Sequence, residues 1–485
     1  MAIDKIIAYL VPFLMWALVV SITLRQITKK QSAAAMVSWL MVIYLVPVVG
    51  IIAYLIFGEV NLGKRRAAAF ARMYPKYTAW FSQLKEEKLL INRNISPLSR
   101  PLFDLTNNRL DIPSVRGNEL HILDTPAGIM HNIIRDINRA QTSINMVFYI
   151  WNNGGLVDEV MNALLKAKER GVNIHILLDS VGSRSFLKSV QCRSMRAHGI
   201  KIEEALHVNL FRVFLRRIDL RQHRKIIVID NNISYTGSMN MVDPKFFKTT
   251  SDGGEWIDIM VRIDGPVSAV LNGVHAWDWE VETRQQIPPI PLPTLPVLPS
   301  RHNSHSVQIL PTGPGFPDDL MEQAVETAIF SARQSISITS PYFVPTENIA
   351  AALRTAALRG VDVTLIIPLN NDSLMVRWAS RTFFDDLLAA GVKICDFQQG
   401  LLHTKSILID NKLALVGTVN MDVRSFSLNF EVTMIVEDDA FADEINLLHE
   451  NYLQGAKPLQ YEQWIQRPMY KRIIEKLFFL FSPLL

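Results

Sequence analysis

Apolar residues change their spacing along the chain, and each spacing predicts a different kind of structure. Ile6 to Leu24 and Ala33 to Phe57 are two uncharged runs without a polar stripe. Each is long enough to cross a hydrocarbon core of roughly 30 Å as a helix, and neither has the polar face of a surface helix in a soluble domain. Beyond residue 110 the pattern shortens. TSINMVFYIW, then ALLKAKERG ending at Gly171, then VNIHILLD, form one series; QSISITSPYFV, then ALRTAALRG ending at Gly360, then VDVTLIIP, repeat it. Strand, glycine-terminated helix and strand predict parallel βαβ units and an α/β fold. The internal match makes that fold a duplication.

These patterns divide the chain into five parts: a transmembrane hairpin at 1–58, a charged helical connector at 59–110, a first lobe at 111–286, a linker at 287–303 and a second lobe at 304–485. The linker, IPPIPLPTLPVLPSRHN, holds six prolines and can continue neither a helix nor a central strand. A cleaved signal peptide is disfavoured, because RQITKK separates the first apolar run from the small residues Ala33, Ala34 and Ala35. In a hairpin, Arg25, Lys29 and Lys30 lie on one side. Lys5, Lys64, Arg65, Arg66, Arg72 and Lys76 lie on the other, so the positive-inside rule favours a cytoplasmic catalytic region.

Composition supports the membrane reading. Hydrophobic residues make up 49% of 485, and the mean hydropathy of +0.15 is high for a soluble enzyme. A net charge of +4 suits an anionic partner without choosing between phospholipid and nucleic acid. Cys192 and Cys395 form no CxxC pair and join no His cluster, so neither a disulfide framework nor a zinc site is expected.

The chemistry resides in two copies of H-x-K-x4-D: His223, Lys225 and Asp230, and His403, Lys405 and Asp410. Histidine and lysine at alternate positions share one face of a strand. Two imidazoles are the set needed for displacement at phosphorus: one attacks to form a phosphohistidine, and the other protonates the leaving alcohol and later deprotonates the incoming one. No metal or cofactor is required. Asp230 and Asp410, at the strand ends, read as structural acids that fix the turn. A Gly-Ser/Thr-x-Asn turn follows each motif, so Ser238, Asn240, Thr418 and Asn420 join the lysines as candidate phosphate donors. Glu255 and Glu431, each opening an apolar stretch downstream, are candidates to orient a histidine.

The halves are unequal. Gly199 precedes His223 by 24 residues, whereas Gly391 precedes His403 by 12, and the extra residues fall in HVNLFRVFLRRIDLRQ. There Arg212, Arg216, Arg217 and Arg221 interleave with large apolar residues. Contact with lipid tails and phosphates is one reading; a basic amphipathic helix packed on its own domain is the other. The ending KRIIEKLFFLFSPLL carries the same two readings, an interfacial anchor or a helix packed on the core.

HRKIIVID with GSMN and HTKSILID with GTVN resemble the phospholipase D superfamily. The N-terminal hairpin, GEVNLGKRR, VFYIW, RVFLRRIDLRQHRK, TGSMNMVDP, GPGFP, TSPYFVP and FFLFSPLL extend the resemblance, over nearly the whole chain, to its bacterial cardiolipin synthases. The resemblance implies two phospholipase-D-like lobes at the bacterial inner membrane. It also implies transfer of a phosphatidyl group from one phosphatidylglycerol to another, giving cardiolipin and glycerol, with His223 favoured as nucleophile. A membrane phospholipase D that passes the group to water needs the same residues. A nuclease is disfavoured by the hairpin, so no nucleic-acid partner is expected, and an inactive lipid-binding scaffold is disfavoured by two intact motifs. The oligomeric state does not follow from the sequence.

Overall fold

The structure is a computed structural model and describes residues 2–29, 33–59, 62–87, 90–92, 94–207, 217, 219–247, 254–288, 290–293 and 305–480. It divides into two compact units, one of Met1–Arg65 with Val208–Leu220 and one of Arg66–His207 with Arg221–Leu485.

In the first unit, one helix segment, Tyr9–Thr28, is long and apolar enough to cross a membrane. The second apolar run, expected as one span, is interrupted. Helix Ala33–Leu45 stops before Val46, which has φ −134° and ψ 72°, and Pro47 opens helix Pro47–Phe57. Proline has no N–H to continue the ladder and pushes its predecessor out of the helical region. Val19 and Ile22 of the first helix pack with Ile43, Ile51 and Tyr54. Tyr9, Phe13, Trp16 and Leu24 remain exposed, an outward apolar surface that lipid solvates and water does not.

Fifteen strands of the second unit lie side by side in one mixed sheet whose order is palindromic but for one strand at the rim. Val115–Leu123 and His305–Thr312 pair antiparallel at its middle. Outward from the former come Met260–Asp264, Ile233–Gly237, Ile226–Ile229, Ser143–Phe148, Asn173–Asp179 and Lys201–Ala205. Outward from the latter come Asn429–Glu437, Leu413–Gly417, Ser406–Ile409, Ser335–Thr339, Asp362–Pro368 and Lys393–Phe397, with Ala456–Pro458 added at the rim. The duplication is therefore built as two lobes on one continuous sheet. In each lobe only the outer three strands run parallel. Helix Leu156–Glu169 makes the first crossover in lobe 1, and Glu347–Leu358 makes its counterpart in lobe 2. The inner strands are antiparallel, so the parallel units expected from sequence account for only the outer part of each lobe. Ile226–Ile229 and Ser406–Ile409 are buried along their whole length, as strands covered on both faces must be.

Of the expected connector, residues 64–86 and 100–110 are helical. The linker is irregular at 287–288 and 290–293, and its remainder lies outside the described residues.

Candidate active site

Both histidines lie just before a buried strand of their own lobe, and each is held by the other lobe. Arg221–Gln222 pairs in parallel with the start of Asn429–Glu437, and the His223 N–H donates to Phe430 O at 2.9 Å. Leu401–Leu402 pairs in parallel with Trp256–Ile257, and the His403 N–H donates to Ile257 O at 2.8 Å. Registers this similar bring the next residue of each crossing strand to the imidazole. His223 Nδ1 lies 2.9 Å from both carboxylate oxygens of Glu431, and His403 Nδ1 lies 2.6 Å from Asp258 Oδ1. Each carboxylate therefore serves the histidine of the opposite half.

The expected pairing needs correction at Glu255. That side chain is exposed, and only its backbone carbonyl takes part, accepting from Leu401 N–H at 3.0 Å. The register places Asp258, three residues later, at the ring.

All four imidazole and ammonium groups are buried. Burial pushes both histidines down to about 4, against the carboxylates beside them. Burial works to raise Glu431 and Asp258, but the histidine charge and hydrogen bonds prevail and hold both below the usual range. Near neutral pH each imidazole is then uncharged, with Nδ1–H donated to an ionised carboxylate and Nε2 left as the basic nitrogen. Burial also lowers Lys225 to about 8 and Lys405 to about 7. Each ammonium returns to its own motif, Lys225 Nζ to His223 O at 2.8 Å and Lys405 Nζ to His403 O at 2.6 Å. An ammonium has three donors, so an anion can still be held.

Gly237 and Gly417 follow from close approach. A Cβ at Gly237 would lie 2.4 Å from Ile259 O, and one at Gly417 would lie 2.3 Å from Val432 O. The turn is therefore pressed against the strand that bears the carboxylate, and this redirects the hydroxyls expected at phosphate. Ser238 Oγ accepts from Ile259 N–H at 2.9 Å and donates to Ile259 O at 3.3 Å, on the strand side of Asp258. Thr418 Oγ1 accepts from Val432 N–H at 3.0 Å and donates to Glu431 Oε2. Thr418 is spent on its carboxylate and the adjoining backbone, and Ser238 on the backbone next to Asp258. Asn240 and Asn420 are buried beside them, and Asn240 Oδ1 accepts from Ile150 N–H at 3.1 Å, which leaves its NH2 for another acceptor.

Asp230 and Asp410 sit away from the histidines. Asp230 accepts from the N–H groups of Gln141, Thr142 and Ser143, and Asp410 from those of Arg333, Gln334 and Ser335, all at 2.7–2.9 Å. Each pins the turn after its motif strand to the start of the neighbouring strand. Of the basic insertion, Arg212 and Arg216 lie outside the described residues. Arg217 is paired with Asp219 at 2.6 Å. Arg221 occupies the short strand before His223, where its charge acts on Tyr149.

Three neighbours were not singled out from sequence. Tyr149 meets His223 edge-on at 5.1 Å, and Trp256 lies tilted 4.3 Å from His403. Arg224 is fully buried between Phe316 and Phe430, ion-paired to Asp278 and donating to Glu431 O and Thr312 O. Nothing in HRK marks its middle residue. Asp258 had a usable signal: it stands six residues before Asp264, as Glu431 stands six before Glu437.

Residues 133–253 and 325–451 match the family described as cardiolipin synthase, PLD-like domain, and residues 13–59 match phospholipase D-nuclease N-terminal. The chain is 49% identical to cardiolipin synthase A of Serratia proteamaculans (strain 568), over 99% of both chains. It is 47% identical to cardiolipin synthase A of Proteus mirabilis (strain HI4320), again over 99% of both. The crystal structure of a phosphatidylserine synthase from Haemophilus influenzae Rd KW20 is similar in fold, with a TM-score of 0.57 at 15% identity over 80% of this chain and 98% of that one. The chain belongs to the bacterial cardiolipin synthases of the phospholipase D superfamily, and is an enzyme of the phosphatidyltransferase class.

Proposed function

We propose that the protein joins two phosphatidylglycerol molecules into cardiolipin, releasing glycerol, through a phosphohistidine on His223. The observation that carries this reading is the crossed arrangement: two neutral imidazoles, each backed by a carboxylate from the opposite lobe, with two buried ammoniums beside them. The cardiolipin synthases of similar sequence, matched end to end, support the choice of lipid.

His223 Nε2 attacks the phosphorus of the first lipid, and the bond to the glycerol oxygen breaks. His403 gives that oxygen a proton. The bound phosphodiester supplies the negative charge that lets a buried imidazole acquire one. The glycerol hydroxyl of the second lipid then gives its proton to His403 and attacks the phosphohistidine, freeing His223. Lys225, Lys405 and the amides of Asn240 and Asn420 hold the phosphate oxygens, and Ser238 and Thr418 steady the carboxylates. In this reading the N-terminal segment is a two-span hairpin with Pro47 bending its second arm. The enzyme then sits in the inner membrane with its site on the cytoplasmic side.

The test is product analysis with purified full-length protein in phosphatidylglycerol micelles. Cardiolipin and free glycerol in equal amounts are expected; phosphatidic acid as the main product would replace transfer with hydrolysis.

A further inference from the structure

The C-terminal helix Met469–Phe479 is not part of the site. One side of it is bound to lobe 2. Phe479 meets Phe383 edge-on with ring centroids 5.3 Å apart, and buried Glu475 is paired with Arg467 at 3.0 Å. The opposite side is bare. Met469, Ile473, Leu477 and Leu480 are 77%, 50%, 54% and 72% exposed, and Tyr470 is exposed beside them. At about 100° per residue these five positions share one arc of about 100°, with Arg472 and Lys476 bordering it.

The surface continues beyond this helix. Leu374, 61% exposed, opens the helix Leu374–Ser380, which packs along the C-terminal one. Arg377 on that helix and Arg381 just after it line a shallow open cleft, together with Phe343, Phe384, Asp396 and Trp464. Arg381 stacks on Trp378 at 5.2 Å. Neither guanidinium has a carboxylate within ion-pair distance among the described residues.

We propose that this corner of lobe 2 docks on an anionic phospholipid bilayer, with the apolar arc among the acyl chains and Arg377 and Arg381 against lipid phosphate. An apolar arc rimmed by cations is the form of a helix lying in a membrane interface, and the rim is complementary to an anionic leaflet. Docking here presents lobe 2 to the bilayer independently of the N-terminal helices.

The experiment places a polarity-sensitive NBD label at Leu477→Cys in the full-length protein, with buried Cys192 and Cys395 as the unlabelled background. The protein is reconstituted in vesicles of phosphatidylcholine with or without phosphatidylglycerol, with acyl chains brominated or not. At least twofold quenching by brominated chains is expected in anionic vesicles. It should fall by about half or more in the Arg377→Gln/Arg381→Gln variant. A label that remains in water overturns the proposal. So does equal quenching in vesicles of phosphatidylcholine alone, or a disulfide between two copies when the unlabelled Leu477→Cys variant is oxidised in the same vesicles. Because the readout is insertion depth, it fails or succeeds separately from phosphatidyl transfer.

Discussion

The two histidines are reached by the same strand order, yet they stand in different surroundings. His223 shares both oxygens of a glutamate, with a tyrosine edge beside the ring. His403 holds one oxygen of an aspartate, with an indole against its side. Between histidine and lysine, lobe 1 carries Arg224, buried and tied to Asp278, whereas lobe 2 carries Thr404, bonded to Tyr452 Oη at 3.0 Å. The difference teaches that the duplication preserved the backbone crossing and let its chemistry diverge. Two identical imidazoles would be interchangeable; two unequal ones can divide attack from proton transfer.

The comparison breaks most sharply at the histidines. His223→Ala and His403→Ala should each lower turnover by at least about 10³-fold. With a radiolabelled phosphatidyl donor, His403→Ala should still accumulate a covalent adduct slowly and His223→Ala should form none. Adduct in the His223 variant alone would exchange their roles.

Next come the carboxylates. Glu431→Gln and Asp258→Asn should each reduce kcat by about 10²-fold or more with the fold intact, because an amide no longer fixes the tautomer or favours the cation. Adduct formation, with the glycerol release that accompanies it, should suffer in both variants, and transfer from the adduct to the second lipid should be slowed most in Asp258→Asn. A reversed assignment, each carboxylate acting within its own half, would contradict the crossing.

The smallest contrast is in stability. Arg224→Met leaves Asp278 buried without its ion pair and should cost about 3–5 kcal/mol. Thr404→Val, losing one hydroxyl bond, should cost about 1 kcal/mol. Denaturant unfolding of both variants measures the difference, and equal losses would remove Arg224 from the account.

Much of this was written in local pattern. The outer strands, their glycine-terminated helices and the repeat itself follow from apolar spacing, and so do both histidine–lysine pairs. What stayed hidden depends on partners far apart in sequence. Glu431 was visible as a carboxylate, but it lies 208 residues from the ring it meets, and no periodicity states that two lobes exchange strands. Glu255 stands out in the sequence because it opens the apolar stretch, but the acid at the ring is chosen by backbone register against Leu401. Ser238 and Thr418 were read as phosphate donors from their residue type, and the turn glycines, by pressing them onto a neighbouring strand, gave them other work. Pro47 was in plain view within a run whose hydropathy masked it.

The exchange of carboxylates also constrains inheritance. A lobe expressed alone would keep its motif and lose the acid that makes its histidine useful, so neither half is selectable without the other. Fusion fixes the ratio of the halves at one to one and removes any need for matching faces, which frees the copies to specialise. Separate chains divided near residue 295 should therefore regain activity only as a mixture, each contributing the carboxylate its counterpart lacks.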